Sequence, residues 1–159
     1  MVTLLKPVPA DEFAVLYAMF EEIYIPMKNF ATSRRGFGRH RSMIMGITRG
    51  RFNGIIGLSE KSKKYPHIYK EILRIQNLIG IEATSIHVNH NVTCPPHFDS
   101  KNVGESVLVS FGDYTGGNIV VNDVMYDANL QPLRFNGAEL LHYNTDDLIG
   151  NKYSLVFFS

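Results

Sequence analysis

The second half of the chain is a succession of short β-type runs, and this pattern limits the possible folds more than any other feature of the sequence. The runs are rich in strand-forming residues, and turn-forming Gly, Asp and Asn separate them. Many short strands at this spacing predict a β-sandwich or a jelly roll. The predicted strands are 84–92, 106–111, 118–122, 133–136, 139–142 and 152–158.

The first half predicts helices that pack on one side of this β structure. Apolar residues recur at helical spacing in residues 10–25 and again in residues 66–79. Pro26 follows the first segment and Gly80 follows the second, and both residue types commonly end helices. Residues 43–48 predict a strand between the two helices. The expected fold class is therefore α+β and mainly β.

The length of 159 residues suits a single domain over 1–159, which we divide into a helical and basic support region, 1–82, and a jelly-roll core, 83–159. No apolar run is long enough to cross a membrane, and the opening residues lack the apolar core of a secretory signal. Cys94 is the only cysteine, so the sequence offers no internal disulfide. These features favour an intracellular protein, in the cytoplasm or the nucleus, with no membrane partner.

The net charge of +1 conceals a basic first half and an acidic second half. Between Glu22 and Glu60 the chain has no acidic residue, and its basic residues there are interleaved with phenylalanines. Such a segment could bind a polyanion such as nucleic acid, with aromatic rings for base stacking. A solvated basic loop that balances the acidic half is an equally good interpretation. The basic residues of the segment are Lys28, Arg34, Arg35, Arg39, Arg41, Arg49 and Arg51.

Two histidines and an aspartate in the second half have the spacing of a metal site. His97 and Asp99 would project from the same face of a strand, and His142 follows in another predicted strand. Two imidazoles and one carboxylate leave three corners of an octahedron open, which favours Fe(II). A structural zinc site would instead require four protein ligands. We therefore expect these three residues to bind the metal and form the catalytic centre, although an isolated His-x-Asp is also found as two unrelated surface residues.

Polar residues on two predicted strands are candidates for binding a co-substrate. Lys152 and Ser154 share a strand face, and a buried ammonium group beside a hydroxyl suits the far carboxylate of 2-oxoglutarate. Taken alone, the two residues could equally be ordinary exposed strand residues. Asn89 and Asn91 share a face of an earlier strand and are expected near the co-substrate. The alternative is that both asparagines satisfy backbone groups near a turn.

Four segments of the second half carry a family resemblance: 97–106 (HFDSKNVGES), 112–117 (GDYTGG), 133–137 (LRFNG) and 150–158 (GNKYSLVFF). Together with the order His-x-Asp, His, and a basic residue followed two places later by serine, they resemble the 2-oxoglutarate/Fe(II) oxygenase superfamily. The likeness is strongest to its TET/JBP-like members and their small algal and viral relatives. It covers roughly residues 84–159. Relatives commonly carry arginine at the position of Lys152. A lysine cannot form the bidentate pair of hydrogen bonds that a guanidinium forms with a carboxylate.

The resemblance implies a double-stranded β-helix, a jelly roll whose open mouth holds the metal. It also implies Fe(II), 2-oxoglutarate as co-substrate, dioxygen as oxidant and ascorbate in a supporting role. The expected reaction hydroxylates a substrate C–H bond, namely that of the methyl group of a 5-methylpyrimidine in nucleic acid. The residues expected to contact this substrate are Arg34, Arg35, Arg39, Arg41 and Asn102.

Two other functions remain open at this point. A protein, peptide or small-metabolite hydroxylase on the same scaffold would suit a short chain whose net charge is only +1. A non-catalytic jelly-roll binding module is the other alternative. The presence of all three metal positions together with the basic position argues against the binding module.

Overall fold

The structure, a computed structural model, describes residues 1–29, 39–49 and 54–159. Within these residues the chain forms antiparallel strands and three α-helices. The strands are β1 (Thr3–Leu4), β2 (Met27–Asn29), β3 (Arg39–Arg49), β4 (Ile56–Leu58), β5 (Ser85–His90), β6 (Ser106–Thr115), β7 (Ile119–Val121), β8 (Val124–Tyr126), β9 (Leu133–Phe135), β10 (His142–Asn144) and β11 (Ile149–Phe158). The helices are α1 (Ala14–Glu22), α2 (Glu60–Lys64) and α3 (Pro66–Ile79).

The described strands form two sheets. The larger sheet has the order β1-β9-β6-β11-β5-β3-β2, with β4 paired to β3, and the smaller has the order β10-β7-β8. β11 lies at the centre of the larger sheet, in register with β6 on one side and β5 on the other. Strands β1 to β4 come from the first half of the chain, so this half contributes to the sheet as well as supplying the helices. The expected class, α+β and mainly β, is confirmed.

One face of the larger sheet packs against the helices and forms the main hydrophobic core. Alternation along the strands places Met45 and Val88 on this face, and both are fully buried. Phe13 stacks on Phe111 with ring centroids 4.6 Å apart. Burying a large apolar side chain in this way contributes about 1.5–3 kcal/mol. The opposite face of the same strands is therefore free to line a cavity.

The two predicted helices are present in the structure. α3 has the predicted bounds, with Pro66 in its first turn and the Gly80 amide donating to the Gln76 carbonyl just beyond its end. The segment predicted over 10–25 begins as a 3-10 turn at Ala10 and ends as an α-helix at Glu22. None of the helices in the described ranges is long and apolar enough to span a membrane.

The predicted strand over 139–142 is wrong, because a turn occupies most of it. The Asn136 carbonyl accepts hydrogen bonds from the amides of Glu139 and Leu140, at 3.2 and 3.0 Å. The strand β10 consequently begins only at His142 and runs forward to Asn144. The other predicted strands coincide with β3, β5, β6, β7, β9 and β11, while the sequence does not predict the short elements β1, β2, β4, β8 and α2.

Candidate metal centre

A cavity of about 280 Å³ lies between the two sheets, with walls from both of them. His97, Asp99 and His142 line one part of it, called here the metal end. Tyr114, Lys152 and Ser154 line another part, called the lysine end. The cavity therefore brings together the predicted metal ligands and the predicted co-substrate cation, which are far apart in the sequence.

The two histidines of the metal end are joined by their backbones. The His97 amide donates to the His142 carbonyl at 3.0 Å, and the His142 amide donates to the His97 carbonyl at 3.1 Å. This isolated antiparallel bridge brings the two imidazole rings to a centroid distance of 4.3 Å. This single bridge, without a long strand on either side of it, places both side chains at the metal end of the cavity.

Backbone carbonyl groups set the orientation of both imidazole rings. Nδ1 of His97 lies 2.7 Å from the carbonyl oxygen of Pro95, and Nδ1 of His142 lies 2.8 Å from that of Leu140. A carbonyl oxygen can only accept, so each Nδ1 must carry the hydrogen. In the neutral tautomer each Nε2 then keeps its lone pair, which is the form that binds a metal ion.

Asp99 completes a three-atom donor set. Its Oδ2 lies 3.0 Å from Nε2 of His142, and its Oδ1 lies 3.6 Å from Nε2 of His97. The ligand atoms of the three residues all lie within 4.8 Å of one another, close enough to hold one ion. Two imidazole nitrogens and one carboxylate on one side of an ion form the set that non-haem Fe(II) uses. The residues present therefore fit Fe(II).

At the lysine end, Lys152 is buried in the middle of β11 with 5% of its surface exposed. Its Nζ donates to the Gly117 carbonyl at 2.7 Å and lies 5.5 Å from the centre of the Tyr114 ring. Burial lowers the pKa of Lys152 from its ordinary value, while the nearby Cys94 and Asp127 act in the opposite direction. An ammonium group has three N–H donors, so this one can also bind an anion in the cavity.

Small polar side chains form a row across the cavity wall at the level of Ser154. Ser154 is in register with Ser110 on β6 and with Asn89 on β5, and Asn89 is in register with Ser42 on β3. The hydroxyl oxygens of Ser110 and Ser154 are 3.0 Å apart. Ser154 and Asn89 both line the cavity, as the sequence predicted.

Asn91 has a different position from the predicted one. It follows the end of β5 with a φ of 51°, and it is not among the described residues that line the cavity. Its side-chain oxygen accepts a hydrogen bond from the Lys152 backbone amide at 2.8 Å. Asn91 therefore supports the backbone of Lys152, which corresponds to the alternative of satisfying backbone groups near a turn.

Tyr114 is a cavity residue that the sequence reasoning missed. The predicted strand 106–111 stops before it, but β6 continues through Thr115 and carries Tyr114 into the cavity wall. Burial, with a contribution from the charge of Asp127, raises the pKa of Tyr114 to about 12. The phenol consequently keeps its proton at neutral pH and can donate a hydrogen bond. His40 and His87 also line the cavity.

The predicted substrate residues have different outcomes. Asn102 lines the cavity near the metal end, where its backbone amide donates to the Asp99 backbone carbonyl at 3.1 Å. Arg34 and Arg35 lie outside the described residues, and of Arg39 only the backbone, in β3, is described.

The contacts of Arg41 lie away from the cavity, in the segment after α1. Its guanidinium carbon lies 3.5 Å from the centre of the Tyr24 ring, and its Nη1 donates to the Ile25 carbonyl at 3.1 Å. In register it pairs with His90, whose ring stacks on Tyr153 on the helix-covered face. Arg41 therefore packs against the segment after α1, and it is not among the described residues that line the cavity.

Solved structures share this fold over nearly the whole described architecture. "NgTET1 in complex with 5mC DNA" aligns with a TM-score of 0.66 at 14% identity, covering 99% of this chain and 71% of that one. OsALKBH1 aligns with a TM-score of 0.61 at 14% identity, covering 99% and 97%. A Pseudomonas putida prolyl-4-hydroxylase aligns with a TM-score of 0.58 at 15% identity, covering 99% and 91%. No protein-family model matches the sequence, and no curated protein matches it.

These similarities concern the fold. They confirm the expected fold, a double-stranded β-helix.

Proposed function

We propose that the chain is an Fe(II)- and 2-oxoglutarate-dependent dioxygenase, with 1–159 acting as one domain and 83–159 carrying the metal-binding core. One observation carries the proposal: three donors suited to Fe(II) and a buried lysine line the same cavity. When bound, the iron supplies activation of dioxygen, so that one oxygen atom enters a substrate C–H bond as hydroxyl and the other enters succinate, formed with CO₂ from 2-oxoglutarate.

The residues of the metal end hold the ion and leave room beside it. His97 and His142 bind through Nε2, because hydrogen bonds to backbone carbonyls occupy both Nδ1 atoms. Asp99 binds through its carboxylate and balances part of the positive charge. Three protein donors leave further coordination positions for the co-substrate and for dioxygen.

The residues of the lysine end hold the far carboxylate of 2-oxoglutarate. Lys152 supplies a charge-assisted hydrogen bond in a buried environment, where such bonds are stronger than in water. Ser154 and Tyr114 line the same part of the cavity, and each has a hydroxyl that can donate to the carboxylate. Asn89 adds an amide on the neighbouring strand.

We further propose that the substrate is the methyl group of a 5-methylpyrimidine in nucleic acid. The fold similarity to NgTET1, solved in complex with 5mC DNA, supports this choice. The basic segment 28–51 supports it as well, because nucleic acid binding requires neutralisation of phosphates. In a duplex, the target base would have to leave the stack to reach the cavity. Arg34, Arg35 and Arg39 are the proposed phosphate contacts, and Asn102 is the proposed contact inside the mouth.

A protein or peptide hydroxylase is the second candidate. The fold similarity to a Pseudomonas putida prolyl-4-hydroxylase favours it, as does the net charge of only +1. The two candidates share the cavity chemistry and differ in what approaches the mouth. One experiment therefore tests the use of Fe(II) and 2-oxoglutarate, and another tests the substrate.

The first experiment tests the reaction type. Purified protein with Fe(II), ascorbate and 2-oxoglutarate should produce succinate, and Asp99→Ala should reduce this turnover to the no-enzyme level. The exposed Asp123→Ala, in the tight turn between β7 and β8, is the matched control and should keep it. Absence of succinate with every substrate class tested, from an Fe(II)-loaded protein, would refute the dioxygenase and leave the binding module.

The second experiment tests the substrate class. Oligonucleotides containing 5-methylcytosine or thymine are incubated with the loaded protein and measured by mass spectrometry, and a gain of one oxygen on the modified base is expected. An unchanged oligonucleotide beside rapid succinate formation with a peptide library would replace the nucleic acid with the second candidate.

A gel-shift series tests the basic segment independently of catalysis. The double reversal Arg34→Glu with Arg35→Glu should weaken binding to the oligonucleotide and flatten its salt dependence. Reversal of Lys63 and Lys64, which lie on α2 outside the segment, is the charge-matched control. Equal effects of the two double variants would show that the attraction is not specific to the segment.

A further inference from the structure

The turn that replaces the predicted strand before His142 is closed by a single residue. The Asn136 carbonyl accepts from the amides of Glu139 and Leu140, and its side-chain oxygen accepts from the Ala138 amide at 3.0 Å. Such an arrangement fixes the directions of the carbonyl groups within the turn. Residues 136–140 are called the Asn136 turn below.

Two carbonyl groups of the Asn136 turn bind two different ligands of the metal end. The Gly137 carbonyl accepts from the Asp99 amide at 2.8 Å, and the Leu140 carbonyl accepts from Nδ1 of His142 at 2.8 Å. One rigid turn therefore fixes the backbone that carries the carboxylate and the rotation of one imidazole ring.

Gly137 also limits the space around the donor atoms. It is buried, and a Cβ atom at this position would lie 3.1 Å from Oδ2 of Asp99 and 3.2 Å from Cε1 of His142. Both distances are tighter than ordinary carbon contacts, so the carboxylate or the ring would have to move. Its backbone φ is not in the left-handed region, so an alanine is conformationally allowed there.

The edge of a phenyl ring supports the same imidazole from another direction. Phe135, the last residue of β9, packs against the His142 ring at a centroid distance of 5.2 Å and is itself buried. The segment 135–140 thus contacts His142 through both a ring and a carbonyl group. It contacts Asp99 through a second carbonyl.

We infer that the Asn136 turn sets the geometry of the metal site, with Asn136 and Gly137 as positioning residues that never touch the ion. The inference rests on the proposed metal binding by His97, Asp99 and His142. Partners of this kind, which orient metal ligands, typically change metal affinity tenfold to a hundredfold when they are altered.

The main test is the affinity of Gly137→Ala for Mn(II), a stable probe of a ferrous site, measured by calorimetry on the full chain. The affinity should fall roughly tenfold to a hundredfold, and the absorption spectrum of bound Co(II) should shift. The thermal midpoint of the metal-free protein should stay near that of wild type. Gly57→Ala, at a glycine with open space around it, is the matched control and should change neither the affinity nor the spectrum.

Asn136 provides a second, independent variant. Asn136→Ala removes the side-chain acceptor that closes the turn and should weaken Mn(II) binding, whereas Asn136→Asp keeps an acceptor oxygen at the same place and should restore it. If Gly137→Ala does not fold, this pair still decides the question, because a purely structural role would lower the metal-free thermal midpoint without changing the Co(II) spectrum.

Asp99→Ala distinguishes a failure of the proposed metal site from a failure of the inference about the Asn136 turn. If Asp99→Ala binds Mn(II) as wild type does, the proposed metal site itself is wrong. If Asp99→Ala loses Mn(II) while Gly137→Ala and Asn136→Ala both bind it normally, the metal site stands and the inference about the turn is overturned.

Discussion

At the metal end of the cavity the functional side chains lie on short or irregular segments, whereas at the lysine end they lie within long strands. His97 belongs to an isolated bridge and His142 begins a strand of three residues. Lys152 and Ser154 lie within β11, which has ten residues and is paired on both sides. Single hydrogen bonds to carbonyl groups therefore position the metal end, and the register of the sheet positions the lysine end.

This difference teaches which changes should separate function from stability. A substitution at the metal end removes a ligand but disturbs few contacts of the core. A substitution at the lysine end involves a desolvated charge and the centre of the larger sheet. Function and stability are expected to be independent at the first end, whereas at the second end a substitution that alters the strand backbone should change both.

The largest effect is expected from His97→Ala. Loss of one of three ligands should weaken Mn(II) binding at least about a hundredfold, while the free energy of unfolding of the metal-free protein falls by only about 1 kcal/mol. Calorimetry and urea unfolding measure the two quantities. Added imidazole should partly restore metal binding. A large loss of stability with unchanged Mn(II) affinity would break the proposed contrast.

Lys152→Met should have the next largest effect, on 2-oxoglutarate. Removing the charged partner of a carboxylate in a buried site should cost about 2–5 kcal/mol of binding, seen as a higher KM for 2-oxoglutarate. The free energy of unfolding should stay within about 1 kcal/mol of wild type, because losing the hydrogen bond to Gly117 is offset by no longer burying an ammonium group. Lys152→Arg is the charge-preserving control, and its KM for 2-oxoglutarate should lie between the values of wild type and Lys152→Met.

Gly112→Ala tests whether the lysine end depends on the sheet. Gly112 is in register with Lys152, has a φ of 128°, and an added Cβ would clash with the Asn151 carbonyl oxygen. The variant should lose about 2–3 kcal/mol of stability and should also bind 2-oxoglutarate more weakly. At Gly104 the φ is 73° but nothing lies within 4 Å, so Gly104→Ala should lose only about 1–2 kcal/mol. Equal losses would contradict the proposed role of close packing.

The smallest effect is expected from pH. The folded protein holds the pKa of Lys152 below the ordinary lysine value of 10.5, so between the lowered pKa and 10.5 the unfolded chain binds the proton more strongly. Raising the pH through this window should therefore stabilise wild type relative to Lys152→Met. Below the window, the destabilisation that comes from burying the charged ammonium group is fully present. Urea unfolding of both proteins across the alkaline range measures the difference. A difference independent of pH would show that burial does not perturb this ammonium group.

The predicted metal ligands and Lys152 line one cavity, but the geometry expected from the sequence holds for only part of the set. The sequence predicts that His97 and Asp99 share a strand face, but neither lies in a regular strand. Backbone hydrogen bonds to the segment 137–142 position both residues instead. Lys152 and Ser154 were found because alternation along a true strand holds there.

The errors came from turns and from contacts distant in sequence. The Asn136 turn was interpreted as a strand because Leu140 and Leu141 favour one, while the hydrogen bonds of Asn136 decide otherwise. Tyr114 lies beyond the predicted strand 106–111, because the glycines on either side of it are turn-forming. For Arg41 the charge predicts a substrate contact, which stays a prediction, while its packing on Tyr24 is a tertiary contact that no local pattern shows.

The backbone bridge between His97 and His142 has a consequence for the stability of the whole second half. An ion held by both side chains would tie the two ends of the segment 97–142, which contains β6 to β9, in the manner of a removable cross-link. Because only the folded chain presents the three donors together, free metal would raise the unfolding temperature with its concentration. Depletion of iron would then lower the lifetime of the protein as well as its activity.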